Sequence, residues 1–212
     1  MRMMRRTLKH GVLLSILLGC CLAGASPAWE LVTETEGMQV ERRLLPGTAR
    51  YEVRVSTYAP FLPQVIFKTL WRHHEYTAFV PYLKHLAVLT HAPEEKMIYE
   101  QITMPVVRDR DYTVRVTAAQ DATSGRIQVS FVSVPEAGPP VQATYVRVTA
   151  IQGGWTLVPA HSGGSMVTYV IASDPGGALP AWLVHMAQRK AAPALVKAIL
   201  DRVQHNLSRD GE

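Results

Sequence analysis

Cysteine is nearly absent from the chain, which limits how the protein can be stabilised. Its two cysteines, Cys20 and Cys21, are adjacent and lie close to the N terminus. The rest of the chain therefore has no disulfide and must be held together by a hydrophobic core. With 212 residues in all, enough chain remains to bury such a core.

Patterns for metal binding and catalysis are lacking as well. His73-His74-Glu75 has no second histidine one helical turn away, as a zinc motif requires. Ser-Gly-Gly-Ser at 162–165 does not match the nucleophile elbow, and no phosphate-binding glycine loop occurs. We therefore expect no metal, no cofactor and no enzymatic activity.

The apolar runs are too short for a membrane-spanning helix, which needs ~20 residues. Residues 11–22 form an apolar stretch that follows four basic residues and precedes small residues at 23–28. This order is typical of a secretory signal peptide, with a short membrane anchor as the alternative. We expect a signal peptide at 1–28, one domain at 29–207 and a short tail at 208–212.

Two kinds of processing stay open for this first segment. Signal peptidase would cut after Ala25 or Ala28, whereas Leu-Leu-Gly-Cys at 17–20 resembles a lipobox, in which Cys20 becomes the lipidated first residue. Both alternatives predict an exported, periplasmic protein. In the second alternative the protein is anchored through Cys20.

An excess of one charge sign is also lacking once the signal is removed. The formal net charge of the chain is +5, but the signal holds four of the 22 basic residues and none of the 17 acids. The remainder carries a net charge of about +1. The charge balance therefore does not indicate nucleic-acid binding.

Strand signals, by contrast, are abundant. Apolar and polar residues alternate at 51–56, and Glu36-Gly37 separates two strand-like stretches, as in a hairpin. Six further strands are predicted at 97–104, 112–119, 126–134, 143–150, 155–159 and 165–173.

Helical spacing occurs at both ends of this strand-rich region. We predict a helix at 60–70, a short helix and a loop at 73–89, and a long helix at 179–206 that buries Val196, Ile199 and Val203. This order predicts an α+β domain in which a curved antiparallel sheet buries one face against the last helix. A gap between sheet and helix would form an internal apolar cavity.

Three motifs occur in order along the domain: Met-Pro-Val-Val-Arg-Asp-Arg-Asp-Tyr at 104–112, Gly-Trp-Thr-Leu-Val-Pro at 154–159, and Asp-Pro-Gly-Gly-Ala-Leu-Pro-Ala-Trp-Leu at 174–183. Together they resemble the START (steroidogenic-acute-regulatory-related lipid transfer) domain family, of the exported bacterial type, over residues 29–207. Taken without the family, Asp109 and Asp111 would cap backbone amides and Arg110 would pair with either acid.

The resemblance implies a helix-grip fold, in which the sheet wraps the C-terminal helix and encloses a cavity for one lipid, commonly a sterol, phospholipid or ceramide. It also implies a lid, which we expect in the proline-rich loop 135–142. The lid residues are Pro135, Gly138, Pro139 and Pro140. The last helix contains Pro193, which would kink it and help it to move.

Strand parity singles out one acid, Glu100, which shares a face with Ile98 and Ile102. A carboxylate on an apolar face is costly unless it is paired or protonated. Some START proteins place an acid near this position with an arginine beside it, but the nearby Arg115 has the opposite parity to Tyr112. Glu100 is therefore either a buried acid that orients a ligand hydroxyl or headgroup, or a group bonded at the strand end or exposed at a bulge.

The favoured function is that of a monomeric carrier that holds one lipid or sterol-like molecule in an internal tunnel and meets a membrane surface transiently. Arg189, Lys190 and Lys197 would meet anionic headgroups there, with a solvated charged face as the alternative. The expected ligand contacts of the carrier are Glu100, Ile102, Met104, Val114, Val116, Trp182 and Met186. The alternatives are a helix-grip enzyme of the cyclase or aromatase type, and an interaction protein whose pocket has collapsed.

Overall fold

The computed structural model describes residues 27–48, 50–177, 179 and 181–210. The predicted signal peptide, apart from its last two residues, lies outside this part of the chain, and so does the predicted lipidation site Cys20. Within the described ranges, no helix has the length and apolarity needed to cross a membrane.

In the described part of the chain, ten strands form one sheet. They are β1 Glu30–Thr35, β2 Met38–Leu44, β3 Tyr51–Ala59, β4 Leu83–His91, β5 Glu95–Ile102, β6 Asp109–Gln120, β7 Ile127–Ser133, β8 Tyr145–Arg147, β9 Ala150–Pro159 and β10 Ser165–Asp174. Their order is β1-β2-β3-β10-β9-β7-β6-β5-β4, all antiparallel, while the short β8 pairs in parallel with β6.

The strands follow the alternation in the sequence. In β3, Val53 and Val55 are buried while their neighbours are partly exposed, because successive side chains point to opposite faces. At the first hairpin, Glu36 and Gly37 both have positive φ, 48° and 74°. This matches the twist of the two strands that they join.

Helices cover one face of the sheet. They are α1 Pro63–Trp71, a 3-10 helix His73–Ala78, α2 Ala181–Met186 and α3 Ala192–Asp210, with a π-helical turn Ala187–Ala191 between the last two. Val196, Ile199 and Val203 are fully buried at helical spacing, which seats α3 on the sheet. Pro193 lies in the first turn of α3, directly after the π-helical turn, and the kink expected at this proline stays a prediction.

The predicted antiparallel sheet with a long C-terminal helix is confirmed, but two element assignments are corrected. Strand β4 lies where we predicted only a short helix and a loop. It is a mostly exposed edge strand with register shifts at Leu83/His85 and Val88/Thr90, so it shows no regular alternation. The predicted strand at 143–150 shrinks to β8, and β9 begins at Ala150 instead of Trp155.

Candidate functional site

An internal cavity of about 530 Å³ lies between the inner face of the sheet and the C-terminal helices. The strands contribute mainly aliphatic and aromatic side chains, among them Val53, Val129 and Ile151, and the helices contribute Leu183 and Leu195. Tyr82, Thr103, Pro105 and Lys190 line one end of the cavity and are exposed, so this end forms its mouth.

Six of the seven predicted ligand contacts lie on the cavity wall: Glu100, Ile102, Met104, Val114, Val116 and Met186. Ligand binding by these residues stays a prediction. The placement of Trp182 is corrected, because its side chain is 54% exposed and does not line the cavity. Its neighbour Leu183 takes the inward position of α2, and consecutive helical residues face different ways.

Glu100 points into the cavity from β5, directly across from Tyr112 on β6. The Tyr112 hydroxyl donates a hydrogen bond to Glu100 Oε2. Burial raises the pKa of Glu100, and the bond from Tyr112 opposes this rise. The partner of the acid is therefore a phenol, while Arg115 is exposed on the opposite face.

Two further tyrosines, Tyr76 and Tyr169, also line the cavity. The Tyr76 hydroxyl donates to the Leu70 carbonyl at 2.8 Å. Burial raises the pKa of both phenols, and the Glu100 charge raises each of them further. The sequence pattern did not single out these residues as site candidates, although Tyr169 shares the buried parity of Ser165 and Val167 on β10.

The buried His73 also lines the cavity, with its ring 4.9 Å from that of Tyr76. Burial and the nearby Lys96 charge lower the pKa of His73 to about 3, so the imidazole is neutral. Lys96 donates to the Trp71 carbonyl at 2.5 Å and lies 4.4 Å above the Trp71 ring. Among the residues that the structure describes, no three His, Cys, Asp or Glu side chains are grouped for a metal.

The predicted lid requires a correction. None of Pro135, Gly138, Pro139 and Pro140 lines the cavity. The loop packs instead on the outer face of β6, where a Cβ on Gly138 would lie only 2.2 Å from Thr113 Oγ1. The loop lies outside the cavity because successive side chains of β6 point to opposite faces, so that Thr113 faces away from the cavity that Tyr112 and Val114 line.

A buried ion pair fastens this loop to the sheet. Arg147 donates to Asp111 Oδ1 and Oδ2 at 2.9 and 2.7 Å and to the Pro139 carbonyl at 3.0 Å. Asp111 is fully buried and also accepts from the Tyr99 hydroxyl at 3.0 Å. The loop is therefore held through the hydrogen bond from Arg147 to Pro139, on the side of the sheet opposite the cavity.

The turn in the first motif, at 104–112, connects the mouth of the cavity to the segment of the third motif that precedes α2. Asp109 accepts a bond from the Met104 amide at 3.1 Å, so the predicted capping of a backbone amide is confirmed. Arg110 donates to the carbonyls of Pro175 and Gly176, each at 3.3 Å, instead of pairing with a neighbouring acid. The first and third motifs thus meet at one end of the cavity.

The family model described as START domain matches residues 22–209. The human phosphatidylcholine transfer protein is 25% identical over 89% of this chain and 88% of its own. The bovine phosphatidylcholine transfer protein is 26% identical, with 87% of each chain covered. The chain belongs to the START domain family.

Solved structures agree with this fold. A STAR-related lipid transfer protein from Xanthomonas axonopodis superimposes with a TM-score of 0.75 and 25% identity, covering 83% of this chain and 98% of its own. The Zhui aromatase/cyclase from Streptomyces shares the fold alone, with a TM-score of 0.55 and 10% identity over 74% of this chain and 94% of its own. In general terms, the family and its lipid transfer members support lipid binding or transfer and a role other than catalysis.

Proposed function

We propose that the protein binds a single lipid in its internal cavity and carries it within the cell envelope. The observation that carries this proposal is the cavity itself, which is lined chiefly by apolar side chains and has a volume of about 530 Å³. This volume lies within the ~300–1,000 Å³ typical of pockets for one small ligand. A filled interior would have favoured an interaction protein instead.

The energetics suit a carrier. Burying ~500 Å² of apolar ligand surface would contribute on the order of 12 kcal/mol. Association costs of roughly 4–15 kcal/mol reduce this figure. One or two polar contacts then suffice for affinity near the micromolar range, which allows the ligand to be released at an acceptor membrane.

The polar groups favour a carrier over a cyclase or aromatase. A general base works best when its pKa lies near the operating pH, but the pKa of His73 is lowered to about 3. Glu100 is bonded to a phenol, and the pKa of the Tyr112 phenol is raised by burial. This pair offers a ligand polar contacts without an activated nucleophile.

Export to the envelope is the second part of the proposal. It rests on the basic and apolar order of residues 1–28. Cell fractionation with N-terminal sequencing tests it, and the expected result is a start near Ser26 or Trp29, or a lipidated Cys20. Cytoplasmic protein that retains Met1 would refute export.

The cavity mouth is the proposed site of transient membrane contact. Tyr82 and Val106 are 53% and 81% exposed there, and Lys190 and Arg189 lie on the π turn beside it. Apolar side chains together with cations suit a membrane surface that contains anionic lipids. This contact would place the mouth where a lipid enters or leaves.

A vesicle-to-vesicle transfer assay with a fluorescent lipid tests the carrier. Val114→Phe adds bulk to the cavity wall and is expected to reduce transfer several-fold, since the larger ring would occupy part of the space that the ligand chain needs. Val132→Phe is the matched control, because Val132 lies on the outer face of the neighbouring strand and is 39% exposed. Equal transfer by both variants would contradict binding in the cavity.

A further inference from the structure

Three cations line the cavity without an acid paired to them in the described part of the chain: Arg50, Arg110 and Lys190. Four arginines outside the cavity show the contrast, since each binds a carboxylate, in the pairs Arg43–Glu52, Arg54–Glu41, Arg147–Asp111 and Arg202–Glu75. Glu100 is the one acid among the described lining residues. The cavity therefore carries an excess of positive charge that a ligand can neutralise.

The three cations lie at the mouth of the cavity. Arg110 donates to the carbonyls of residues 175–176, each at 3.3 Å. These residues follow the end of β10, which pairs with the start of β3, and Arg50 directly precedes β3, so both arginines lie at the same end of the sheet. Lys190 is exposed on the π turn at this end. Within the described ranges, the charged groups of Arg50 and Lys190 form no hydrogen bond, so both are available to a headgroup.

Arg110 distinguishes a site for the cargo from a surface for the membrane. It is 3% exposed, so its guanidinium lies within the wall and does not reach a flat bilayer, whereas a headgroup that has entered the mouth reaches it. Its bonds to the carbonyls of Arg108 and of residues 175–176 use three of its five N–H groups. Two N–H groups remain for a ligand oxygen, and a buried cation without an acid is stabilised by an anion there.

The single acid of the lining lies deeper than these cations. Ile102 pairs with Arg110 and Glu100 pairs with Tyr112, so Glu100 is two residues, or ~7 Å along the strand, farther from the mouth. An anionic headgroup is attracted by the cations at the mouth and repelled by an ionised carboxyl farther in. A lipid with such a headgroup would therefore insert its chain first and keep its headgroup at the mouth.

The volume of the cavity suits one chain. A methylene group occupies about as much space as a water molecule, ~30 Å³. The cavity of about 530 Å³ therefore holds roughly 18 such groups, which is the size of one long acyl chain. A lipid with two chains of this length would need about twice the volume.

We propose that the cargo is a single-chain lipid with an anionic headgroup, a carboxylate or a phosphate monoester, whose chain fills the cavity and whose headgroup lies at the mouth between Arg50, Arg110 and Lys190. This inference rests on the proposed carrier function and names the class of its ligand. Arg110 binds the headgroup from the wall, and the two other cations bind it from the rim.

Four probes with chains of nearly the same length test the headgroup: palmitate, hexadecyl phosphate, hexadecanol and hexadecyltrimethylammonium. Displacement of a fluorescent ligand, at a pH that ionises the carboxylate, is expected to show at least one of the two anions bound about tenfold more tightly than hexadecanol. The ammonium should bind more weakly than hexadecanol. Added salt should weaken binding of the anions and leave that of hexadecanol unchanged, because the rim cations are screened.

The double variant Arg50→Gln/Lys190→Gln removes both rim cations and should reduce the preference for the anion to about threefold or less. Arg126→Gln/Lys68→Gln is the matched control, because it removes one arginine and one lysine from exposed positions that do not line the cavity. The control should keep the preference. A preference that survives in the first variant, or that is lost in the control, would overturn the role of the mouth cations.

Phosphatidylcholine, as a fifth probe, separates this inference from the carrier proposal. If the wild-type protein binds any probe but prefers neither anion to hexadecanol, the lipid function stands and the anionic class is wrong. Tighter binding of phosphatidylcholine than of both anions would overturn the single chain. If the protein binds none of the five probes, the carrier proposal fails. The wild-type comparison needs no variant, so it decides the question even if the double variant does not fold.

Discussion

The two faces of strands β5 and β6 carry polar clusters of opposite character. On the outer face, Tyr99, Asp111 and Arg147 are bonded to one another, and Arg147 also holds the Pro139 carbonyl. On the inner face, Glu100 accepts a hydrogen bond from the Tyr112 hydroxyl through Oε2, and among the described residues no protein group bonds to its second oxygen. The first cluster is satisfied within the protein and serves the fold, whereas the second has capacity left for a ligand.

Breaking the outer cluster should have the largest effect. Arg147→Ala leaves Asp111 buried without its cation, and we expect a loss of about 3–5 kcal/mol in the free energy of unfolding. Urea denaturation measures it, with the exposed Arg126→Ala as control. A double replacement of Asp111 and Arg147 by leucine should recover much of the loss, and failure to do so would mean that the loss does not come from an unpaired buried charge.

The stability of the protein should fall at acidic pH because of His73 on the cavity wall. Its pKa is lowered from 6.5 to about 3 in the folded state. The unfolded chain therefore takes up a proton first, and stability falls as the pH drops below 6.5. Between pH 6.5 and 5 the loss should reach about 2 kcal/mol.

His73→Phe keeps a ring and cannot titrate, so its unfolding free energy should fall less over this range than that of the wild type. Thermal denaturation at several pH values gives the comparison, and His74→Phe, at an exposed neighbour, is the control. Identical pH profiles for His73→Phe and the wild type would show that His73 is not buried as described.

Glu100 should give a smaller effect of opposite direction. Burial raises its folded-state pKa above the ordinary 4.5, so its contribution to stability is full below that value and is lost as the pH rises through the folded pKa. Glu100→Gln should lose less stability than the wild type between pH 4.5 and 8. Parallel profiles for the two proteins, with Glu94→Gln as an exposed control, would mean that Glu100 is well hydrated.

Arg115 should give the smallest effect. It is exposed on the outer face and has no acid paired with it among the described residues. Arg115→Gln should change the free energy of unfolding by less than about 0.5 kcal/mol and leave ligand preference unaltered. A clear change in ligand selectivity would instead indicate that Arg115 acts together with Glu100 in ligand binding.

The sequence predicts well what depends on local pattern. The alternation of β3, the Glu36-Gly37 hairpin and the inward parity of Glu100, Ile102 and Val114 all hold in the structure. Parity also predicts that Tyr112 and Arg115 point to opposite faces of β6, which argues against Arg115 as the partner of Glu100. The phenol partner itself was predictable only from the register that pairs Glu100 with Tyr112.

The errors concern features that depend on distant contacts. Strand β4 is an edge strand with few buried side chains, so it has little alternation to detect. The loop 135–142 resembles a lid in composition, yet the pairing of Arg147 with Asp111, 36 residues apart, fastens it to the outer face. Tyr169 and Glu100 line the same cavity although three strands lie between β10 and β5, because the sheet curves, and curvature is not visible in a strand pattern.

The central claim is that one lipid occupies the cavity, and native mass spectrometry of the protein purified from its own host tests it most directly. We expect a single added mass per chain that dissociates as a lipid, is reduced in Val114→Phe and persists in Val132→Phe. Wild-type protein that carries no lipid, or the same lipid load in Val114→Phe, would contradict it.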